Sequence, residues 1–165
     1  MQQNDKTSVL FVCLGNICRS PMAEAVFRHL VKQEGLEDRI IIDSAGTGDW
    51  HTGQPPHRGT RGILEQYGIS YEGIRARQVK KQDFERFDIV VAMDGQNEAD
   101  LQQIGRQLGA KVVKLLDLVP DAQLKDVPDP YYTGNFQEVY ELIERGCTIL
   151  LSQIREGGFR HVPKH

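Results

Sequence analysis

An α/β fold, with a four-stranded parallel sheet and helices on both faces, is what three features of this sequence predict. Four short apolar runs have the length of strands, each is followed by a segment with helical spacing, and glycine marks the end of every helical segment. A strand followed by a helix, repeated four times, favours parallel pairing, because the chain must cross back over the sheet before the next strand begins.

The first run, Val9-Leu10-Phe11-Val12, is apolar without alternation, as suits a strand covered on both faces. Pro21 to Gln33 follows as a helix with Met22, Val26 and Leu30 on one face, Pro21 in its first turn and Gly35 as its stop. Ile40 to Ile42 reads as the second strand, and His57 to Tyr67 as a helix ended by Gly68. Asp88 to Met93 and Lys111 to Leu115 supply the other two strands, with Gln96 to Leu108 between them as a helix ended by Gly109. The last helix opens at Asn135, with Glu138 three residues later as in a capping box, and closes at Gly157-Gly158. Its apolar stripe, Phe136, Val139, Tyr140, Ile143, Cys147, Leu150, Leu151 and Ile154, makes Cys147 a packing residue.

With 165 residues and no repeat, low-complexity tract or linker, the chain is expected to form one domain over 1–165. Its core is expected over about 7–157, with the ending Phe159 to His165 frayed. Apolar residues at 39% and charged residues at 26% fit a globular protein rather than a disordered or membrane one. A net charge of -3 offers no field that would draw nucleic acid. The polar start Met1-Gln2-Gln3-Asn4-Asp5 is not a signal segment and no apolar stretch reaches membrane-spanning length, so cytoplasmic location without a membrane partner is the expectation. A monomer is the default expectation, although the sequence does not fix oligomeric state. The cysteines are Cys13, Cys18 and Cys147, an odd number that does not suggest a secreted disulfide framework. Cys13 and Cys18 are read without a second Cys or His pair to complete a site, and the five histidines are scattered, so neither a metal nor another cofactor is expected.

Chemistry concentrates directly after the first strand, where Cys13-Leu14-Gly15-Asn16-Ile17-Cys18-Arg19-Ser20 separates a cysteine from an arginine by five residues. Gly15 and Asn16 let such a loop curl, so that backbone N–H groups and the positive end of the next helix meet at one point and hold a phosphate there. A thiolate splits phosphate-ester hydrolysis into two easier displacements, and a helix N-terminus and a cation favour that ionised form. Cys13 is the candidate nucleophile. The planar guanidinium of Arg19 can grip two phosphoryl oxygens in a fork, and the Ser20 hydroxyl could donate to the sulfur when it leaves.

An aryl or alkyl oxide departs slowly unless something protonates it, so the loop needs an acid. Asp129, in Asp126-Val127-Pro128-Asp129-Pro130-Tyr131-Tyr132, is the candidate, because the prolines stiffen the segment and two aromatic residues adjoin it. An ordinary Asp-Pro turn explains the same residues equally well.

Taken together, these motifs resemble the low-molecular-weight protein tyrosine phosphatase family. Val12 to Pro21 is similar to its signature and Asp129-Pro130-Tyr131-Tyr132 to its acid loop. Asp43-Ser44-Ala45-Gly46-Thr47, Ala76-Arg77-Gln78, and Met93-Asp94 with Asn97 follow in the family's order, and the likeness runs from about Val9 to about Leu151. The resemblance implies hydrolysis of phosphotyrosine on a protein substrate, with Cys13 as nucleophile, Arg19 as transition-state clamp, and Asp129 as acid and later base. It implies a substrate site of Leu14, Gly15, Asn16, Ile17, Cys18, Ser20, Trp50, Tyr131 and Tyr132, a left-handed Asn16 supported by Ser44, and inhibition by inorganic phosphate and similar oxyanions. Trp50 lies in Asp49-Trp50-His51, which matches a variable wall that would shape a slot for a phenyl ring. Cys18 implies a reversible disulfide with Cys13 under oxidation. Many relatives carry a His shortly before Ala76-Arg77-Gln78 to brace the loop, and Tyr71 to Arg75 holds none.

Two other functions fit parts of the pattern. A thiol-dependent arsenate reductase on the same scaffold relays a disulfide through a cysteine pair after the second strand, whereas residues 19 to 146 here contain no cysteine. A non-catalytic phosphotyrosine-binding module would keep the loop and Arg19 but would have no need of Cys13 together with Asp129.

Overall fold

The computed structural model describes residues 6–105, 108 and 110–157. Gly109, Gly158 and the tail expected to fray lie outside the described residues. Four strands, β1 (Thr7–Cys13), β2 (Ile40–Gly46), β3 (Ile89–Ala92) and β4 (Lys111–Lys114), form one sheet in the order β2-β1-β3-β4. Every pairing is parallel. The helices are α1 (Arg19–Gln33), α2 (Arg58–Gln66), α3 (Asp83–Arg86), α4 (Gly95–Ile104), α5 (Pro130–Thr133) and α6 (Phe136–Arg155).

Alternate residues of β1 enter opposite cores. Val9, Phe11 and Cys13 pack with Met22, Val26 and Phe27 of α1 and with Ile143, Cys147 and Leu150 of α6. Leu10 and Val12 pack with Phe84 of α3 and Leu101 of α4 on the other face. From β1 the chain runs one way to β2 and the other way to β3 and β4, and right-handed crossovers then place α1 and α4 on opposite faces. The strand order reverses beside β1, and the crevice at such a switch point lies beyond the carboxyl ends of the strands, where Cys13 falls.

Element boundaries shift where polar residues hide an element. β2 extends four residues past Ile42, because Asp43 to Gly46 continue the register with Leu10 to Cys13 of β1. The helix after the first strand begins at Arg19 rather than Pro21, with Met22 N–H making a 3.3 Å bond to the Cys18 carbonyl. Leu115 leaves the fourth strand for a short 3-10 turn, Leu115–Leu118. The helix expected over Gln96 to Leu108 stops at Ile104, and α3 and α5, four residues each, have too little periodicity to be read from sequence. Gly35, Gly68 and Gly157 all stand in the left-handed region just beyond helix ends, as terminators do. Among the described residues no helix is long and apolar enough to cross a membrane.

Candidate active site

The loop after β1 is held from outside by its carbonyls. Cys13 O accepts from Thr47 N–H and Leu14 O from Gly48 N–H, both at 2.9 Å, and Ile17 O accepts from His57 N–H at 2.7 Å. Cys18 O accepts from the Thr60 hydroxyl at 3.1 Å. With these carbonyls bonded to groups outside the loop, their acceptor capacity is met away from the Cys13 sulfur.

From within, the loop is held by Asn16, whose φ of 58° is the one positive value outside glycine among the described residues. Such a conformation costs on the order of 1 kcal/mol or more and persists only where its surroundings dictate it. Asn16 Nδ2 donates to Ser20 Oγ at 2.8 Å and to Ser44 Oγ at 3.1 Å, while its Oδ1 accepts from Arg77 N–H at 2.9 Å. Three bonds at roughly 1 kcal/mol each exceed the strain. Ser44 Oγ in turn donates to Glu24 Oε1 at 2.7 Å. Burial raises the Glu24 carboxyl above the usual range, Ser44 and Arg28 opposing it. Arg28 donates to Glu24 and to the Glu72 carbonyl at 3.2 and 3.0 Å. Without a histidine in Tyr71 to Arg75, the loop is braced by the Arg77 amide on one side and, on the other, by the Arg28–Glu24–Ser44 chain, which Arg28 ties to the Glu72 carbonyl.

Because Ser20 Oγ accepts from Asn16, its own proton is free for the Cys13 sulfur 3.0 Å away, and Ser20 N–H points at the same sulfur from 3.4 Å. The other proton acceptor within reach, Ala45 O, is more distant at 3.4 Å. A hydroxyl and an amide thus both approach the sulfur within hydrogen-bonding distance.

Arg19 is 3% exposed and oriented by three oxygens. Its Nη1 donates to Asp94 Oδ2 at 2.7 Å and to Val127 O at 2.9 Å, and its Nη2 stands 3.4 Å from Asp129 Oδ2. Burial works against the cation, but Cys13, Asp94 and Asp129 outweigh it and hold the guanidinium above its ordinary value. Arg19 Nε is buried without a partner among the described residues. Nε and Nη2 share one edge of the planar group, so a two-pronged donor is left for an oxyanion.

Asp129 caps α5, its Oδ1 accepting from Tyr131 N–H at 3.0 Å, which leaves Oδ2 turned toward Arg19. Its segment is pinned to the sheet edge. Val127 N–H donates to Met93 O at 2.9 Å, and Asp126 Oδ1 accepts from Gly95 N–H and Lys114 Nζ at 3.1 and 3.0 Å. The capping turn and the charge-facing carboxylate coexist in one residue.

Cys13, Arg19 and Asp129 meet in a cavity of about 270 Å3, whose wall includes Leu14, Gly15, Ile17, Cys18, Trp50, Tyr131 and Tyr132. Asn16 and Ser20, expected in that wall, lie beneath it, because their side chains are turned inward to hold Ser44 and the sulfur. The wall also includes His51, from the Asp49-Trp50-His51 segment that the resemblance matched to a variable wall. Asp94 and Glu24 were missed; Asp94 stands in a recognisable motif, but its pairing with Arg19 spans 75 residues and has no local signal. Burial first, then the neighbouring Cys13 and Asp129 charges, push the Cys18 thiol up to about 12, so Cys18 is protonated at neutral pH. Cys147 is fully buried on α6, as its stripe required, and burial pushes its thiol up too.

An α/β scaffold whose switch-point loop joins a hydrogen-bonded sulfur to an oriented guanidinium defines a thiol-based, phosphate-trapping class of protein. Residues 8–159 match the family model described as low molecular weight phosphotyrosine protein phosphatase, and the chain belongs to that family. It is 56% identical over 150 residues to the low molecular weight protein-tyrosine-phosphatase YfkJ of Bacillus subtilis, covering 90% of this chain and 96% of that one. It is 44% identical over 146 residues to PtpA of Staphylococcus epidermidis, covering 88% and 92%. The crystal structure of YfkJ superposes with a TM-score of 0.91, covering 94% of this chain and 99% of that one. A protein tyrosine phosphatase from Entamoeba histolytica, solved with Hepes in its active site, is 36% identical with a TM-score of 0.87, covering 93% and 99%.

Proposed function

We propose that this chain hydrolyses phosphotyrosine on protein substrates through a phosphocysteine at Cys13. The observation that carries the reading is the meeting of the Cys13 sulfur, the free edge of Arg19 and the Asp129 carboxyl in one aromatic-walled cavity. In the first step the thiolate forms a bond to phosphorus as the bond from phosphorus to the tyrosine oxygen breaks, and Asp129 gives its proton to that oxygen. In the second, Asp129 takes a proton from water, the water oxygen bonds to phosphorus, and the phosphorus–sulfur bond breaks. Ser20 donates to the departing sulfur. Arg19 follows the equatorial oxygens through both steps.

Trp50, Leu14 and Tyr131 support selectivity for a phenyl ring, since a flat group fills the slot and phosphoserine is too short to reach the sulfur from the rim. Inorganic phosphate should compete for the same donors. The Entamoeba relative's Hepes, which carries a tetrahedral sulfonate, supports an oxyanion site. The cellular setting that goes with this reading is a cytoplasmic monomer, which sedimentation and fractionation test.

Cys18 belongs to the proposal as a protecting group. Peroxide oxidises Cys13 to a sulfenic acid, the Cys18 thiol displaces water from it to form a disulfide, and an external thiol reduces the pair. Recovery with dithiothreitol should be markedly poorer for Cys18→Ser than for the native chain; equal recovery removes the role.

The deciding experiment is Cys13→Ser with radiolabelled phosphotyrosyl substrate. Turnover should fall on the order of 10^4-fold or more, as it does when other activated nucleophiles are removed, with phosphate binding retained. Quenched native enzyme should carry label on Cys13. Label elsewhere, or activity surviving in the variant, overturns the mechanism.

A further inference from the structure

The wall that Trp50 and Leu14 raise beside the sulfur has a second side. Beyond it lies an open groove of about 530 Å3, lined by Leu14, Thr47, Trp50, Asp100, Gln103 and Ile104. The groove adjoins the catalytic cavity, with Leu14 and Trp50 lining both. The partition is seated on Gly48, where an added Cβ would stand 1.9 Å from the indole ring. Backbone without a side chain is what lets the indole lie there.

The chemistry of the groove is mixed in one particular way. Leu14, Ile104 and the indole are apolar, and α4 contributes the carboxylate of Asp100. One Asp100 oxygen accepts from Gln96 Nε2 at 3.0 Å, and no cation pairs with this carboxylate among the described residues. An apolar trough ending in an acid suits a long alkyl stem with a cationic head.

Spacing supplies the register. The cavity and the groove meet at Leu14 and Trp50, so a side chain that enters the groove belongs to a residue only a few positions from the phosphotyrosine. In an extended peptide, side chains two residues apart lie on the same side, roughly 6.8 Å from each other. We propose that the groove receives a lysine or arginine side chain two positions from the phosphotyrosine, the substrate straddling Trp50. The inference rests on the phosphotyrosine reading and adds a sequence preference to it.

Synthetic phosphopeptides test it, with Lys or Glu placed two residues before, and separately two residues after, the phosphotyrosine. In at least one register the Lys peptide should have kcat/KM about fivefold to tenfold above the Glu peptide, the combined effect of one exposed attraction gained and one exposed repulsion removed. Asp100→Asn should bring the ratio to within about twofold, and Asp100→Lys should reverse it. Neither variant should alter hydrolysis of p-nitrophenyl phosphate, which is too small to span the partition. Equal rates in both registers, or a Lys preference that survives Asp100→Lys, overturns the groove assignment. The two readings fail separately: absent turnover of p-nitrophenyl phosphate by the native chain defeats the phosphatase reading and this one with it, whereas normal turnover without peptide preference defeats the groove alone.

Discussion

The floor of the cavity and its rim differ in how tightly each side chain is determined. On the floor, Asn16 is fixed by three side-chain hydrogen bonds, and Arg19, 3% exposed, is fixed by Asp94, Val127 and Asp129. On the rim, Trp50, Tyr131 and Tyr132 are 66%, 55% and 76% exposed. Ring contacts hold much of that rim, Tyr131 with Tyr132 at 5.3 Å and His51 with Tyr131 at 6.5 Å between centroids. Floor side chains can hold a charged transition state because none of them must reorganise when charge develops. Rim side chains can be exchanged without disturbing that arrangement, so substrate choice can vary over a constant chemistry.

The largest losses after Cys13 belong to the floor. Arg19→Lys keeps the charge but loses the fork and the three-way orientation, and kcat should fall on the order of 10^2- to 10^3-fold. Near-native turnover in steady-state assays would show that a point charge is enough. Asp129→Ala should cost about 10^2-fold or more with alkyl and poor aryl leaving groups, and much less with nitrophenolates that need little protonation. A loss independent of the leaving group would leave Asp129 only its capping bond to Tyr131 N–H.

Asn16→Ala tests whether the floor is also a stability element. It leaves the Arg77 amide without its acceptor and the Ser20 and Ser44 hydroxyls without a donor, and it places a residue that tolerates φ of 58° poorly. Unfolding in urea should show a loss of about 2–3 kcal/mol, accompanied by a fall in kcat. Trp50→Ala, by comparison, should change stability by less than about 0.5 kcal/mol and raise KM for aryl phosphates roughly twofold to tenfold, the value of one aromatic contact. Comparable destabilisation by the two variants would erase the distinction between floor and rim.

The same division governs what could be read from the chain itself. Cys13, Arg19 and Ser20 were legible because the floor's chemistry is contiguous and follows an uninterrupted apolar strand. Cys147 was legible because helical spacing places it on a stripe. Glu24 was not, since a glutamate on α1 reads as a solvent-facing residue until Ser44, twenty positions away, is seen to approach it. The polar half of β2 was hidden for the same reason: Asp43 and Ser44 interrupt the apolar run, yet Ser44 is buried because Asn16 and Glu24 satisfy its hydroxyl. Asp94 as Arg19's partner and Trp50 against Gly48 are likewise facts of tertiary approach, which local pattern does not encode.

His57 joins the two regions, and its titration gives the smallest effect. Its amide donates to Ile17 O in the floor loop, while its ring stacks on Phe136 and meets the Tyr131 ring edge-on. Its Nδ1 accepts from Gly59 N–H at 3.0 Å as the cap of α2, a bond that exists only while Nδ1 carries no proton. Burial first, then Arg58 and Arg61, hold the imidazole below its ordinary value. As pH falls through about 6.5 the unfolded chain therefore binds a proton before the folded chain does. Folding stability from this residue is complete above that pH, declines as pH drops toward the folded-state value, and changes no further beneath it. His57→Asn keeps a capping acceptor but cannot titrate. In urea unfolding series from pH 7.5 to 5, the native chain should lose stability relative to this variant as the pH falls through the histidine range, with the other histidines common to both cancelling. Parallel stability curves would mean that the cap does not sense pH and that His57 links floor and rim by packing alone.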